Sequence, residues 1–271
     1  MFISADTQTA NHQALFALRN LAYEYVPGYP VLDQLNLDIW PGDALFVLGA
    51  NGCGKSTLLK ILAGLIAPTA GSLWAFGREL TPAVWQDARF VQAFRQRVGF
   101  VFQNSDAQLF STTVRDELAF APLQAGLPPQ QVAQRVADTA ELLGIGHLLD
   151  RPPFKLSGGE KKKVALACVL SVNPEVLFFD EPTNGLDPRT QYWLVEFLTA
   201  LRQTGKTIVT ATHDLNIVED LATRVVVMSE DHTLAADSTP MKVLSDRQLL
   251  LDVNLVHERS HFHVGGSRAH G

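Results

Sequence analysis

The chain is short of several things. Its 271 residues include two cysteines, Cys53 and Cys168, three methionines, and only 18% charged side chains. Two cysteines in unrelated contexts build neither a disulfide framework nor a cysteine-based zinc site, which suits a reducing compartment. There is no surplus of positive charge: 22 Lys and Arg face 28 Asp and Glu, a net charge of −6. No broad basic field is available, so no nucleic-acid partner is expected. No run of about 18 or more apolar residues exists to span a bilayer. The N-terminus, M-F-I-S-A-D-T-Q-T-A, lacks a basic stretch and a long apolar centre, so no secretory signal is expected there. No internal repeat is visible. What is present is a hydrophobic fraction of 46%, enough for one large domain or one domain with an appendage.

The stretch that organises the rest is Gly49-Ala50-Asn51-Gly52-Cys53-Gly54-Lys55-Ser56-Thr57. It has the form G-x-x-x-x-G-K-[ST], the phosphate-binding P-loop. An apolar run, A-L-F-V-L at 44–48, precedes it as a buried strand. Apolar residues at helical spacing follow over 58–65, with Pro68 expected to stop that helix. A glycine loop between a strand and a helix N-terminus can turn N–H groups and the helix dipole toward an anion. Lys55 would reach the β- and γ-phosphates of a nucleotide, and the Ser56 hydroxyl would ligate Mg²⁺.

Period-two patterning predicts strands at 15–25 and 31–39, with a turn at 26–30, then strands at 72–76 and 97–102. A helix is expected near 82–95. Residues 104–155 read as proline-rich turns plus one helix over about 129–143, whose apolar face carries Val132, Val136, Ala140 and Leu143. This is the mark of a small helical subdomain inserted in an α/β core. A helix follows Ser157-Gly158-Gly159, then a strand at 176–179, an amphipathic helix at 191–201, strands at 207–212 and 224–228, and helical character over 241–256. Strands alternating with helices imply a mainly parallel sheet, with ligands outside the carboxyl ends of its strands. Three polar elements fall at such ends: the P-loop, Asp180-Glu181 and His213.

Val176-Leu177-Phe178-Phe179-Asp180-Glu181 is a buried strand ending in two carboxylates. Asp180 is placed to hold Mg²⁺, and Glu181 to polarise a water attacking the γ-phosphate. In Leu156-Ser157-Gly158-Gly159-Glu160, two glycines and a hydroxyl at a helix N-terminus again suit a phosphate. Cys53, beside Lys55 and between glycines, is expected to have a lowered pKa and a thiol whose alkylation blocks hydrolysis.

With these motifs in order, the chain resembles the nucleotide-binding subunit of ATP-binding cassette (ABC) transporters over nearly its whole length. The Walker A motif is 49–57, the Q-loop glutamine is Gln103, the signature is 156–160, and the Walker B aspartate is Asp180. Glu181 matches the catalytic glutamate, Asp187 ends the D-loop, and His213 matches the switch histidine. The resemblance implies an ABC-type P-loop NTPase: a mainly parallel core sheet, an antiparallel β subdomain and an inserted helical subdomain at about 104–172. The ATPase domain is expected over 14–240, with a C-terminal helix and histidine-containing tail over 241–271.

It further implies that ATP and Mg²⁺ are bound and ATP is hydrolysed. Asn51, Gly52, Cys53, Gly54, Lys55, Ser56 and Thr57 would bind the phosphates. Ser56, Gln103 and Asp180 would hold the metal, and Glu181, His213 and Gln103 would serve catalysis. Two subunits would face head to tail, so that Ser157, Gly158 and Gly159 serve the partner's nucleotide and Asp187 couples the two sites. Tyr25 stands where the family places an aromatic on adenine, with Tyr23 as its competitor. Expected partners are a second ATPase subunit, identical or not, an integral membrane coupling subunit and a substrate-capture membrane subunit, at the cytoplasmic face of the cell membrane.

Residues 98–127 look like the energy-coupling-factor or cobalt/nickel branch, where the segment after the Q-loop forms a groove for a membrane subunit's coupling helix. Gln103, Asp106, Gln108, Leu109 and Phe110 are the groove candidates. Lys155 and the run Glu160-Lys161-Lys162-Lys163 look like the same branch, although Lys163 replaces an arginine many relatives carry. A vitamin importer such as one for biotin is the alternative cargo reading. A soluble ABC ATPase ranks lower, since one cassette and no basic stripe are present. In the tail, His257, His261, His263 and His270 have a spacing that suits Ni²⁺ or Co²⁺, but the sequence alone favours a polar tail without metal.

Overall fold

The computed structural model describes residues 13–257, apart from the side chain of Asp106. The expectations for residues 1–12, for the side chain of Asp106 and for His261, His263 and His270 lie outside the described residues. In chain order the elements are β1 (Phe16–Val26), β2 (Tyr29–Ile39), β3 (Ala44–Leu48), α1 (Lys55–Leu62), β4 (Ala70–Ala75), β5 (Arg78–Glu79), α2 (Ala88–Arg97), β6 (Val98–Val101), α3 (Val114–Gln124) and α4 (Pro129–Leu142). Then follow α5 (Gly158–Leu170), β7 (Val176–Asp180), α6 (Pro188–Gln203), β8 (Thr207–Thr212), α7 (Leu215–Leu221), β9 (Arg224–Met228), β10 (Leu234–Ser238), α8 (Pro240–Ser245) and α9 (Arg247–Asp252).

Two sheets form. The antiparallel one runs β2-β1-β4-β5, and the other runs β10-β9-β3-β8-β7-β6. In the second, β9, β3, β8, β7 and β6 are parallel neighbours and β10 adds an antiparallel edge. Strands β3, β7 and β8 are buried at every position, as continuous apolar runs in a sheet covered on both faces must be. Alternate side chains serve two cores. Phe46, Leu48, Leu177 and Phe179 join α3 to α8, while Leu45, Val47, Val176 and Phe178 join α1, α2 and the antiparallel sheet. The segment between the neighbouring strands β6 and β7 carries α3, α4 and α5, as the inserted helical region was expected to.

Several expected bounds shift. The helix after the P-loop begins at Lys55 and ends where Gly64 turns to φ +68°, well before Pro68. The helix expected at 82–95 is a short 3₁₀ turn and then α2, started where the Asp87 carboxylate caps the amides of Arg89 and Phe90. The helical character at 241–256 resolves into two short helices, because Asp246 ends α8 and caps α9. Helix α3 was not expected among the prolines. Thr113 caps it through Asp116, and Pro122 sits buried in its last turn.

Candidate active site

The carboxyl ends of β3, β8 and β7 lie side by side, and the loops that leave them meet at one cavity of about 460 Å³. Its walls are Tyr25, Val31, Asn51, Gly52, Gly54, Lys55, Ser56, Thr57, Gln103, Glu181, Asn184 and His213. The three polar strand ends expected from the sequence are thus brought together. So is Gln103, which leaves the edge strand β6.

The loop's shape follows from its glycines. Gly54 has φ +110°, and a Cβ there would come within 2.4 Å of the Val31 carbonyl oxygen, so only glycine fits. The first bond inside α1 is donated by Leu58 to the Gly54 carbonyl, 2.9 Å. A helix leaves the amides of its first turn without partners inside the helix, the feature that binds anions at helix N-termini. Lys55 is 6% exposed and curls back to donate to the carbonyls of Gly49 (2.8 Å) and Ala50 (3.1 Å).

Glu181 is also buried, in a left-handed turn at φ +44°. Its carboxylate lies 3.5 Å from Lys55 Nζ and 3.0 Å from His213 Nδ1, and its amide donates to the Ala211 carbonyl on β8. A water at this carboxylate would meet a base held by two neighbours, one of them cationic. Asp180 accepts a 2.7 Å hydrogen bond from the Ser56 hydroxyl. Burial pushes its carboxyl pKa up, against the pull of that hydrogen bond. Two hard oxygen donors apposed in a half-dry site fit a small divalent cation such as Mg²⁺.

Tyr25 stands at the mouth, 57% exposed, with its hydroxyl 3.3 Å from Thr57 Oγ1. Tyr23 meets it edge-on at 4.8 Å but packs on the core, so the free aromatic face at the cavity belongs to Tyr25. Asn184 and Val31 also line the cavity and were not singled out in the sequence. Asn184 lies three residues past Glu181, within the loop to the D-loop aspartate, and that position was its only signal.

Other expected site residues lie elsewhere. Ser157, Gly158 and Gly159 are not in the cavity wall. Ser157 caps α5 in a reciprocal box with Glu160, and a Cβ at Gly158 would meet nothing within 4 Å. Asp187 is exposed and caps α6 through the amides of Arg189 and Thr190 and the Thr190 hydroxyl (2.6 Å), which hold its pKa down. Among the described residues no group of three or more His, Cys, Asp or Glu could hold a metal, so His257 is not part of such a cluster there.

Cys53 departs from expectation. Its thiol turns from the cavity into the apolar core, 3% exposed, and burial pushes its pKa up more than nearby Lys55 pulls it down. The thiolate is the reactive form. Native protein is therefore expected to take up a maleimide at Cys53 at least about 10²-fold more slowly than an exposed thiol, by the opening needed to reach it. Time-resolved mass spectrometry measures this, and modification within minutes at neutral pH contradicts it. Two groove candidates also turn inward. Gln108 donates to the Ala165 carbonyl and accepts from the Phe102 amide, and Leu109 packs on the core, while Phe110 is 68% exposed against Phe120.

A family model described as "ABC transporter" matches residues 32–184. The chain belongs to the ABC transporter family of ATP-binding proteins. A putative ABC transporter ATP-binding protein of Methanosarcina acetivorans is 49% identical over 252 residues, covering 92% of this chain and 91% of that one. The nickel import ATP-binding protein NikO of Rhodobacter capsulatus is 46% identical, over 89% of this chain and 95% of that one. Among solved structures, CbiO1 of Clostridium perfringens, described as part of the ABC transporter complex CbiONQ, superposes with a TM-score of 0.76 at 34% identity. That likeness covers 89% of this chain and 95% of the other. As an ABC ATPase the chain binds and hydrolyses ATP. No described helix is long and apolar enough to cross a membrane.

Proposed function

We propose that this ABC ATPase is the motor subunit of an energy-coupling-factor-type importer for nickel or cobalt ions, attached to membrane partners at the cytoplasmic face of the cell membrane. The observation that carries the attachment is a groove of about 670 Å³ between α2 and α3, with Val91, Phe120, Ala121 and Ala125 on its apolar part and Gln92, Arg95, Gln96 and Gln124 around them; Gln103, Gln108, Leu109 and Phe110 do not line it. Phe120 is 44% exposed there with Phe110 edge-on beside it. Exposed apolar side chains at a groove mark a docking site, and a helix of an integral membrane subunit is the proposed occupant. The nickel-import relative and the CbiONQ component support the choice of cargo. A vitamin importer such as one for biotin is the second reading, supported by the same energy-coupling-factor pattern at 98–127.

In the mechanism, the loop amides and Lys55 take the charge of the triphosphate, and Tyr25 offers a face to the adenine. Ser56, Asp180 and Gln103 would hold Mg²⁺, which when bound neutralises charge developing between the phosphates. Glu181 accepts the proton of the attacking water. His213, 3.0 Å from that carboxylate, keeps it oriented. Because Ser157, Gly158 and Gly159 stand outside this cavity, they serve the nucleotide of a second copy packed head to tail, with Asp187 at the seam. Purifying the tagged chain from membranes with its companions tests the cargo. A capture subunit that binds Ni²⁺ or Co²⁺ is expected, and one that binds only an organic vitamin contradicts the metal reading.

A further inference from the structure

The run Glu160-Lys161-Lys162-Lys163 places three cations on one turn of α5, and they do not share a fate. Lys161 and Lys163 are half-exposed, and Lys163 lies over the Trp193 ring at 4.6 Å. Lys162 points inward and is 2% exposed. Its Nζ donates to the Phe102 carbonyl at 3.5 Å and feels the charge of Asp180. Burial holds its pKa down to about 8. An ammonium closed off from water is costly unless it is paired or hydrogen-bonded. A methionine would fill the same space without that cost, so packing does not explain the charge.

The partner of Lys162 supplies a reason. Phe102 is the residue immediately before Gln103. Its backbone is held on both sides: the carbonyl, in the peptide that leads to Gln103, accepts from Lys162, and the amide, in the peptide before, donates to Gln108 Oε1 at 3.3 Å. Gln108 in turn donates through Nε2 to the Ala165 carbonyl at 3.2 Å. Both Lys162 and Ala165 are on α5, the helix whose N-terminus is the signature Ser157-Gly158-Gly159. The two peptides that flank Phe102 thus tie Gln103, in the cavity wall, to the helix that begins at the signature.

We propose that Lys162 and Gln108 are positioning residues that clamp the backbone on either side of Phe102 to the signature helix and so set where Gln103 stands in the cavity. A displacement of α5 then moves Gln103, and the state of one nucleotide site reaches the other through this clamp. The inference rests on Gln103 acting in the cavity, as proposed above.

A double-mutant cycle on the purified full chain separates this from a merely structural role. With Gln103 intact, Lys162→Met is expected to lower kcat for MgATP about tenfold; in a Gln103→Ala background the same change is expected to cost less than about twofold. ATP affinity measured in EDTA stays within about twofold throughout, because the clamp acts through Gln103 and not through the P-loop. Lys162→Arg keeps a donor and recovers most of the rate. An equal loss in both backgrounds, or no loss in either, overturns the clamp. Gln103→Ala alone tests the underlying assignment: if it leaves kcat unchanged, the role of Gln103 falls; if it slows hydrolysis while Lys162→Met remains additive, only the clamp falls. Should Lys162→Met fail to fold by circular dichroism, Gln108→Ala, on a half-buried side chain, carries the same cycle.

Discussion

Glu181→Gln is expected to lower ATP turnover by about 10²–10⁴-fold, the range lost when a positioned general base is removed, while leaving ATP binding equal or tighter. The amide matches the carboxylate in size, so the left-handed turn at φ +44° and the bond from its N–H to Ala211 persist. What disappears is the proton acceptor. Binding is expected not to suffer, because the buried carboxylate lines the cavity proposed to receive the triphosphate. Removing it relieves like-charge repulsion and releases Lys55, 3.5 Å away, from an acidic neighbour. Single-turnover hydrolysis and equilibrium binding of ATP read the two effects separately. Turnover within a few-fold of the unaltered chain would remove Glu181 from the chemistry.

Lys55→Ala and Gly158→Asp are each expected to silence the protein for unrelated reasons. Among the described residues, Lys55 is the one lysine or arginine in the cavity wall. Truncating it costs about 2–5 kcal/mol of triphosphate binding, which is about 30-fold to about 4,000-fold in affinity, as for other buried charged partners, and leaves the Glu181 carboxylate with less compensation. Gly158 is nowhere near that wall. A Cβ there meets nothing within 4 Å, its backbone needs no left-handed conformation, and an acidic residue in the first turn of α5 favours the helix. The fold is therefore kept, and the new carboxylate faces whatever phosphate approaches the signature. ATP binding to the variant's own P-loop is expected to be unchanged.

Much of this site was legible before any coordinates. G-x-x-x-x-G-K-S after an apolar pentad has few other uses, and V-L-F-F-D-E announces a buried strand that ends in polar residues. Strand ends converge in a parallel sheet for topological reasons, which is why Lys55, Glu181 and His213 could be expected together. Details that depend on side-chain direction were not legible. Cys53 reads as a neighbour of Lys55, but the loop curls and sends the thiol into the core. Nothing in Glu160-Lys161-Lys162-Lys163 marks which lysine turns inward, since three consecutive side chains at 100° per residue can sit at several rotations about the helix axis; the structure buries Lys162. Gln108 looks like a surface glutamine until Phe102 and Ala165 are seen on either side of it. Pro122 reads as a helix breaker but lies in the last turn of α3, where its burial against the core outweighs the lost N–H. The seven-residue α7 is too short to display a period.

The central claim is that a complete site is built from the P-loop of one copy and the signature of another. Mixing purified Lys55→Ala and Gly158→Asp chains tests it most directly. Each alone is silent, but a mixed pair contains one site with an intact Lys55 opposite an intact Gly158. The account predicts that MgATP hydrolysis returns on mixing, rising with total protein as pairs form. Two silent chains that stay silent together at every ratio, or a Gly158→Asp chain that hydrolyses ATP at full rate by itself, would contradict it.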